Sequence, residues 1–249
     1  MTTIETSPQL YARLGGFLYL LIIVFGGFAE GYVMNSLVVA GDAAATARNI
    51  MASPGLWSLS VAANLLVPVF AVAQAWIFYL LLRPVNRQLV LLSVFFMLVS
   101  LSVEAVSKLF LLAVTPILAS AHPGAFEPAQ VQGLAHVSLI LHDIAFNIAL
   151  IFFGVGCLVD GYLIVRSGYL PKLIGLLMQL AGLSYLIACF AALFAPKLAD
   201  LITPAILVPA LVGETSFCLW LLIKGVNVTK WNQRVGIATS GEARAAIPG

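Results

Sequence analysis

Charge is what this sequence has least of. Lys and Arg number 12 and Asp and Glu 10 among 249 residues, so 9% of positions are charged, against roughly 25% in a soluble domain. With 62% of residues hydrophobic, the composition belongs to the membrane class. No run of Lys or Arg and no basic patch interleaved with aromatics is present, which excludes nucleic acid as a partner. Cysteine is scarce too: Cys157, Cys189 and Cys218 sit within apolar segments, odd in number and without metal-ligand spacing, and read as small core residues. The chain has no HExxH, no GxSxG and no glycine-rich phosphate loop. No cofactor is expected. Zinc is the one metal with donors to hand, but His136 and His142 are six residues apart on different helix faces.

What the chain has is six long apolar segments, read as spanning helices over about Leu10–Val33, Leu56–Leu82, Leu89–Leu118, Val131–Val165, Leu173–Phe194 and Ile202–Ile223. Each exceeds the roughly 20 residues a bilayer core requires. The first reads as a retained signal anchor. Its glycine pairs, Gly15–Gly16 and Gly26–Gly27, suit close helix packing. In the loop Ala40–Gly55, Asp42 is placed to cap a short helix ended by Pro54–Gly55. Ala44, Ala47 and Met51 share a face of that helix, which lies on the membrane surface or folds over the bundle as a lid. Trp57 and Trp231 read as interface anchors, and Pro68 frees a carbonyl in the second span. The fourth segment is longer than a bilayer needs and must tilt, break or project.

Lysine and arginine set the orientation. One side receives Arg13, Arg83, Arg87, Arg166, Lys172, Lys224, Lys230, Arg234 and Arg244, and the other only Arg48 and Lys197. The expected fold is therefore all-α, a polytopic membrane bundle of six transmembrane helices with both termini cytoplasmic. A tail over 1–9, a six-helix domain over 10–225 and a second tail over 226–249, disordered at its end, make up the chain.

Four stretches carry a family resemblance: ARLGGFLYLLIIVFGGFAE from Ala12, the loop GDAAATARNIMAS, the turn LRPVNRQLVLLSVFF and GYLPKLIGLLMQLAGLSYL from Gly168. Together they resemble the bacterial membrane family known as domain of unknown function 4386, over roughly Ala12 to Gly225. The resemblance implies a six-helix protein of the bacterial cytoplasmic membrane and brings no activity or site residue with it.

The chemistry must come from polar residues within the spans, where each ionisable group costs roughly 2.5–3.5 kcal/mol on insertion scales. Ala135–Asn147, AHVSLILHDIAFN, is the densest such stretch. At 100° per residue His136, Asp143 and Asn147 fall on one stripe, expected to face inward, and His142 points to the side. Glu104 and Lys108 are i,i+4 in the favoured order and can neutralise each other. Asn64 is placed to bond backbone freed by Pro68, and Asp160 to snorkel or meet Arg166. Counting 1.5 Å per residue puts Glu30, Asn64, Glu104 and Lys108 in the outer half of the bilayer, His142 and Asp143 near its outer rim, His136 higher still, at headgroup level or in a projecting turn, and Glu214 near the midplane. A pocket open to the outer face, shared by Asp143 and Glu214 with Glu104 or Lys108 on its wall, is the expectation, with Phe146 and Ala145 packed elsewhere.

Three functions suit such a pocket. One is binding or transport of a small cationic or amphipathic ligand, or of protons, with Glu30, Asp143 and Glu214 supplying negative charge and His142 or His136 relaying a proton. Another is an intramembrane enzyme acting on a lipid-like substrate, with Asp143 or Glu214 as general acid or base and His142 or His136 as its partner or a metal ligand. The third is a structural or sensory partner whose polar groups knit the bundle. Beyond the lipid bilayer, no partner or oligomeric state can be read from the sequence.

Overall fold

A computed structural model describes residues 7–121, 126–203 and 205–245, with side chains as far as residue 236. The extreme termini and the middle of the Ser120–Gln130 loop lie outside the described residues, as does the expectation of a disordered end. The described elements are helices throughout. They run α1 (Pro8–Gly26), a π-helical stretch (Gly27–Met34), α2 (Asn35–Leu37), α3 (Ala43–Ala52), α4 (Pro54–Leu82), α5 (Arg87–Ala119), α6 (Pro128–Ser167), α7 (Lys172–Phe194), α8 (Pro196–Ile202), a 3₁₀ turn (Ala205–Leu207), α9 (Val208–Ile223) and α10 (Val228–Ala245). Six helical stretches are long and apolar enough to cross a membrane: Pro8–Leu37, Pro54–Leu82, Arg87–Ala119, Pro128–Ser167, Lys172–Phe194 and Ala205–Ile223. By length and composition this is a multi-pass membrane protein. The fourth stretch does not break: α6 is one helix of 40 residues, about 60 Å at 1.5 Å per residue.

The chain divides into two compact units. The first comprises Met1–Leu20, Val72–Ser100 and Leu150–Gly249. Its helices meet through glycine. A Cβ on Gly182 would lie 2.5 Å from the Gly154 carbonyl oxygen, and one on Gly161 would lie 2.6 Å from that of Gly175. The paired positions are seven residues apart on both helices, so α6 and α7 touch backbone to backbone, as small residues permit in membranes. Their connection needs Gly168 at φ +77°, a conformation open to glycine at little cost. Gly15 and Gly16 behave as expected, with Cβ positions 2.9 Å from Ile77 and 2.7 Å from the Leu222 nitrogen, whereas Gly26 and Gly27 meet nothing within 4 Å.

Several polar groups in this unit serve helix ends. Leu81 is near the end of α4, where carbonyls lack intrahelical partners, and its oxygen accepts from Tyr169 Oη at 2.5 Å and Trp231 Nε1 at 3.3 Å. Trp231 is thus a buried clasp holding α10 rather than an interface anchor, and burial pushes the Tyr169 phenol up from its ordinary pKa. Gln9 belongs to α1 rather than to a tail: its side chain donates to the Lys224 carbonyl at 2.8 Å and accepts from the Val226 N–H at 3.0 Å. Asp160 does not reach Arg166. It is buried and accepts from Ser93 Oγ at 2.6 Å.

The second unit comprises Leu21–Ala71 and Leu101–Ala149. Its apolar core joins the end of the first span (Val33, Leu37), α3 (Ala47, Ile50), the start of α4 (Trp57, Val61), the end of α5 (Leu111, Val114, Leu118) and the start of α6 (Ala135, Leu139). Asp42 caps α3 as expected, its Oδ1 accepting from the Ala45 N–H at 2.8 Å. The buried face of α3 is Thr46–Ala47–Ile50, however, and Met51 is exposed. Polar ties select that face: Thr46 Oγ1 accepts from the Val39 N–H at 2.9 Å, and Asn49 Nδ2 donates to the Leu37 carbonyl at 3.2 Å. Trp57, expected at the membrane interface, is buried beneath α3 in this core.

Candidate functional site

Within the second unit three helical segments bring four ionisable side chains together. α5 supplies Glu104 and Lys108, the π-helical stretch supplies Glu30, and α6 supplies His142. Lys108 is fully buried, with Nζ 3.2 Å from Glu30 Oε1 and 3.7 Å from Glu104 Oε1. The sequence pair Glu104–Lys108 therefore exists, but the closer carboxylate comes from a different helix. Lys108 also stands 4.4 Å from the centroid of the Phe146 ring, which stacks on His142 at 5.7 Å. Phe146, expected to pack elsewhere, is a wall of the site and adds a cation–π contact. Among the described residues, the stretch around Glu30 is the one place where a π-helix re-aims side chains within a span, and such distortions are frequent at functional sites.

His142 has no exposed surface. Its Nδ1 is 3.2 Å from the Ser107 carbonyl oxygen, an acceptor, so Nδ1 carries a hydrogen. Its Nε2 is 3.3 Å from Glu30 Oε1, another acceptor, at an angle that closes no hydrogen bond. A neutral ring with its hydrogen on Nδ1 would aim a lone pair at a carboxylate. One further proton, on Nε2 or on Glu30, removes that repulsion. With it the cluster is neutral, with two positive and two negative groups when the proton is on Nε2 and one of each when it is on Glu30, the cheapest state for charges taken out of water.

The structure reverses the expected face of α6. Asp143 is exposed, and its neighbour His142, about 100° round the helix, is the buried one. Asn147 is half-buried and spends its side chain locally, Nδ2 donating to the Asp143 carbonyl at 2.9 Å. His136 is half-buried, with Nδ1 unpartnered among the described residues. Asn64 is buried with Nδ2 likewise unpartnered, so the expected bond to backbone freed by Pro68 is not made by that amide. Glu214 belongs to the first unit. There it accepts a hydrogen bond from Tyr185, and the phenol of Tyr19, packed edge-on against Phe217 with ring centroids 6.1 Å apart, stands near it. Sequence reasoning missed both tyrosines as neighbours; nothing in their spacing announces a contact across helices.

Among the described residues no three His, Cys, Asp or Glu side chains are grouped so as to hold a metal ion. The three cysteines are free and buried, as their apolar settings suggest.

No curated protein and no solved structure matches the chain. A family does, described as "Domain of unknown function (DUF4386)", over residues 14–225. That match takes in all six apolar spans except the first few residues of the first, and the chain belongs to this family.

Proposed function

We propose that this protein is a membrane-embedded proton-binding module that exchanges protons with the outer face of the bacterial cytoplasmic membrane, through Glu30 and His142. The observation that carries the reading is a fully buried histidine set between two acceptors, Ser107 O at 3.2 Å and Glu30 Oε1 at 3.3 Å. Such a pair needs a proton to be stable, and Glu30, a quarter exposed, is the member through which a proton can come and go. Lys108 and Glu104 fix the electrostatic background, so loss of the proton changes the cluster from neutral to singly negative. In this reading the outer loops with Arg48 and Lys197 face outward, and both termini face the cytoplasm, following the positive-inside bias.

The test is an infrared pH titration of the full chain in lipid nanodiscs. Wild-type protein should show a carboxyl band and an imidazole band that change together, and Glu30→Gln and His142→Gln should each remove both changes. Wild-type protein without such bands, or bands unaltered in both variants, refutes the proposal.

A further inference from the structure

The proton site lies at a definite level. The apolar core of the second unit includes Val33, Val61, Leu111 and Leu139, one from each of four spans. Three residues from each of these, toward the middle of its span, stand Glu30, Asn64, Lys108 and His142. The core joins the C-terminal ends of the first and third spans to the N-terminal ends of the second and fourth. All four offsets therefore point the same way along the bundle. By helix rise these four polar residues stand at one level, about one turn below the apolar plug to which α3 contributes.

Among the described residues two atoms at that level have no hydrogen-bond partner: His142 Nε2 and Asn64 Nδ2, on side chains that are 0% and 1% exposed. The O and N of an asparagine amide are assigned rather than seen, so Asn64 offers the layer either a donor or an acceptor. Glu30 is the member of this level with the most exposed side chain, 25% against 0% for Lys108 and His142.

Charge and donor chemistry restrict what can replace the proton. Without it Lys108, Glu30 and Glu104, the last one turn along α5 from Lys108, are charged and His142 is neutral, a net charge of one minus. A monovalent cation restores neutrality, whereas a divalent one overshoots. The vacated Nε2 is a nitrogen lone pair, which suits an N–H donor better than Na⁺ or K⁺, whose preferred ligands are oxygen. Other charged or titratable groups near His142 do not alter the count of the layer. Asp143 and His136 are on the same helix, with Asp143 exposed; the second-unit part of α4 contributes none, and Arg48 of α3 is exposed.

We propose that the proton held between His142 and Glu30 exchanges for one small N–H-bearing monovalent cation, ammonium or a primary amine, which binds beneath the apolar plug. The proposal rests on the proton-binding reading above. In the exchange the cation's N–H groups donate to His142 Nε2, a Glu30 oxygen and the Asn64 amide oxygen. The proton leaves to water, and no covalent bond to the protein changes other than that N–H or O–H.

Calorimetry of the full chain in lipid nanodiscs tests this. Methylammonium chloride is titrated in buffers of different ionisation enthalpy, and the dependence of the heat on buffer counts protons released. One proton per methylammonium is expected, none with NaCl, and no binding with tetramethylammonium, which lacks an N–H. Ammonium chloride in a parallel arm shows whether the alkyl group matters. Asn64→Leu should weaken methylammonium at least tenfold, and Glu30→Gln should abolish proton release. Equal binding of methylammonium and tetramethylammonium, or binding without proton release, overturns the exchange; both comparisons use wild-type protein and do not depend on a variant folding. An infrared pH titration of the same nanodiscs separates the two ideas. Carboxyl and imidazole bands that titrate in wild type and vanish in Glu30→Gln, without amine-linked release, leave the proton site standing and remove only the exchange.

Discussion

Removing Lys108 gives the sharpest test of the charge count. Its ammonium is fully buried, with Glu30 at 3.2 Å, Glu104 at 3.7 Å and the Phe146 ring at 4.4 Å. Lys108→Met keeps the volume and removes the charge, leaving two carboxylates and a protonated His142, a net charge of one minus. Breaking a buried pair from one side costs about 3–5 kcal/mol. Adding Glu104→Gln to that variant returns the layer to neutral, with Glu30 and the protonated histidine still paired. The cation–π contact and the charge-assisted hydrogen bond are lost from both variants, so the double variant recovers the part of the cost that comes from the stranded charge. Lys108→Met with Glu30→Gln should fall between: the new side-chain amide can donate to a neutral His142, but Glu104, 12% exposed, is stranded. SDS-induced unfolding in mixed micelles near neutral pH, followed by tryptophan fluorescence, should therefore rank Lys108→Met as least stable and Lys108→Met/Glu104→Gln as closest to wild type. A double variant no more stable than Lys108→Met would refute the argument that neutrality of the layer governs its stability.

Other outcomes follow from the fold. Gly182→Ala must move a Cβ that would sit 2.5 Å from the Gly154 oxygen, and such overpacking costs about 1–3 kcal/mol. Gly26→Ala, with nothing within 4 Å, should be neutral or slightly stabilising in the same SDS assay; equal effects would disprove the close contact of α6 and α7. For the orientation, Ala121→Cys in whole cells should react with an impermeant thiol reagent and Gln88→Cys should not. Both positions are exposed, and Gln88 is preferable to Asn86, whose side chain accepts from the Gln88 and Leu89 N–H groups at 3.0 Å and so caps α5. The opposite labelling pattern would invert the proposed topology.

The spans were legible because runs of apolar residues longer than a bilayer is thick admit few other readings. The cap on α3 was legible because Asp42 stands where an unpaired N–H needs an acceptor. The inward face of α6 was not. Polarity pointed to His136, Asp143 and Asn147, yet the buried positions from Val131 to Ala149 include Ala135, Ser138, Leu139 and His142, a ladder at spacings of three, four and seven with small residues on several rungs. Small side chains let neighbouring helices approach, and here they mark the packed face better than charge does. The pairing of Glu104 with Lys108 is local and could be read; Glu30 reaches Lys108 from 78 residues away, and only the fold makes them neighbours. In the polar C-terminal segment, Trp231 gave no sign that it would find the Leu81 carbonyl.

The backbone contact between α6 and α7 has a consequence for the mechanical character of the first unit. An interface built of side chains loosens by degrees, as one rotamer after another changes. Gly154, Gly161, Gly175 and Gly182 have no rotamers to change. The two helices can separate or remain in register, but they have little means of slackening in between. Closing the contact also immobilises no side chain at those four points, so it forgoes the entropy penalty that ordinary helix packing incurs. The pair is therefore suited to act as a single stiff strut, its two helices joined by only a short turn.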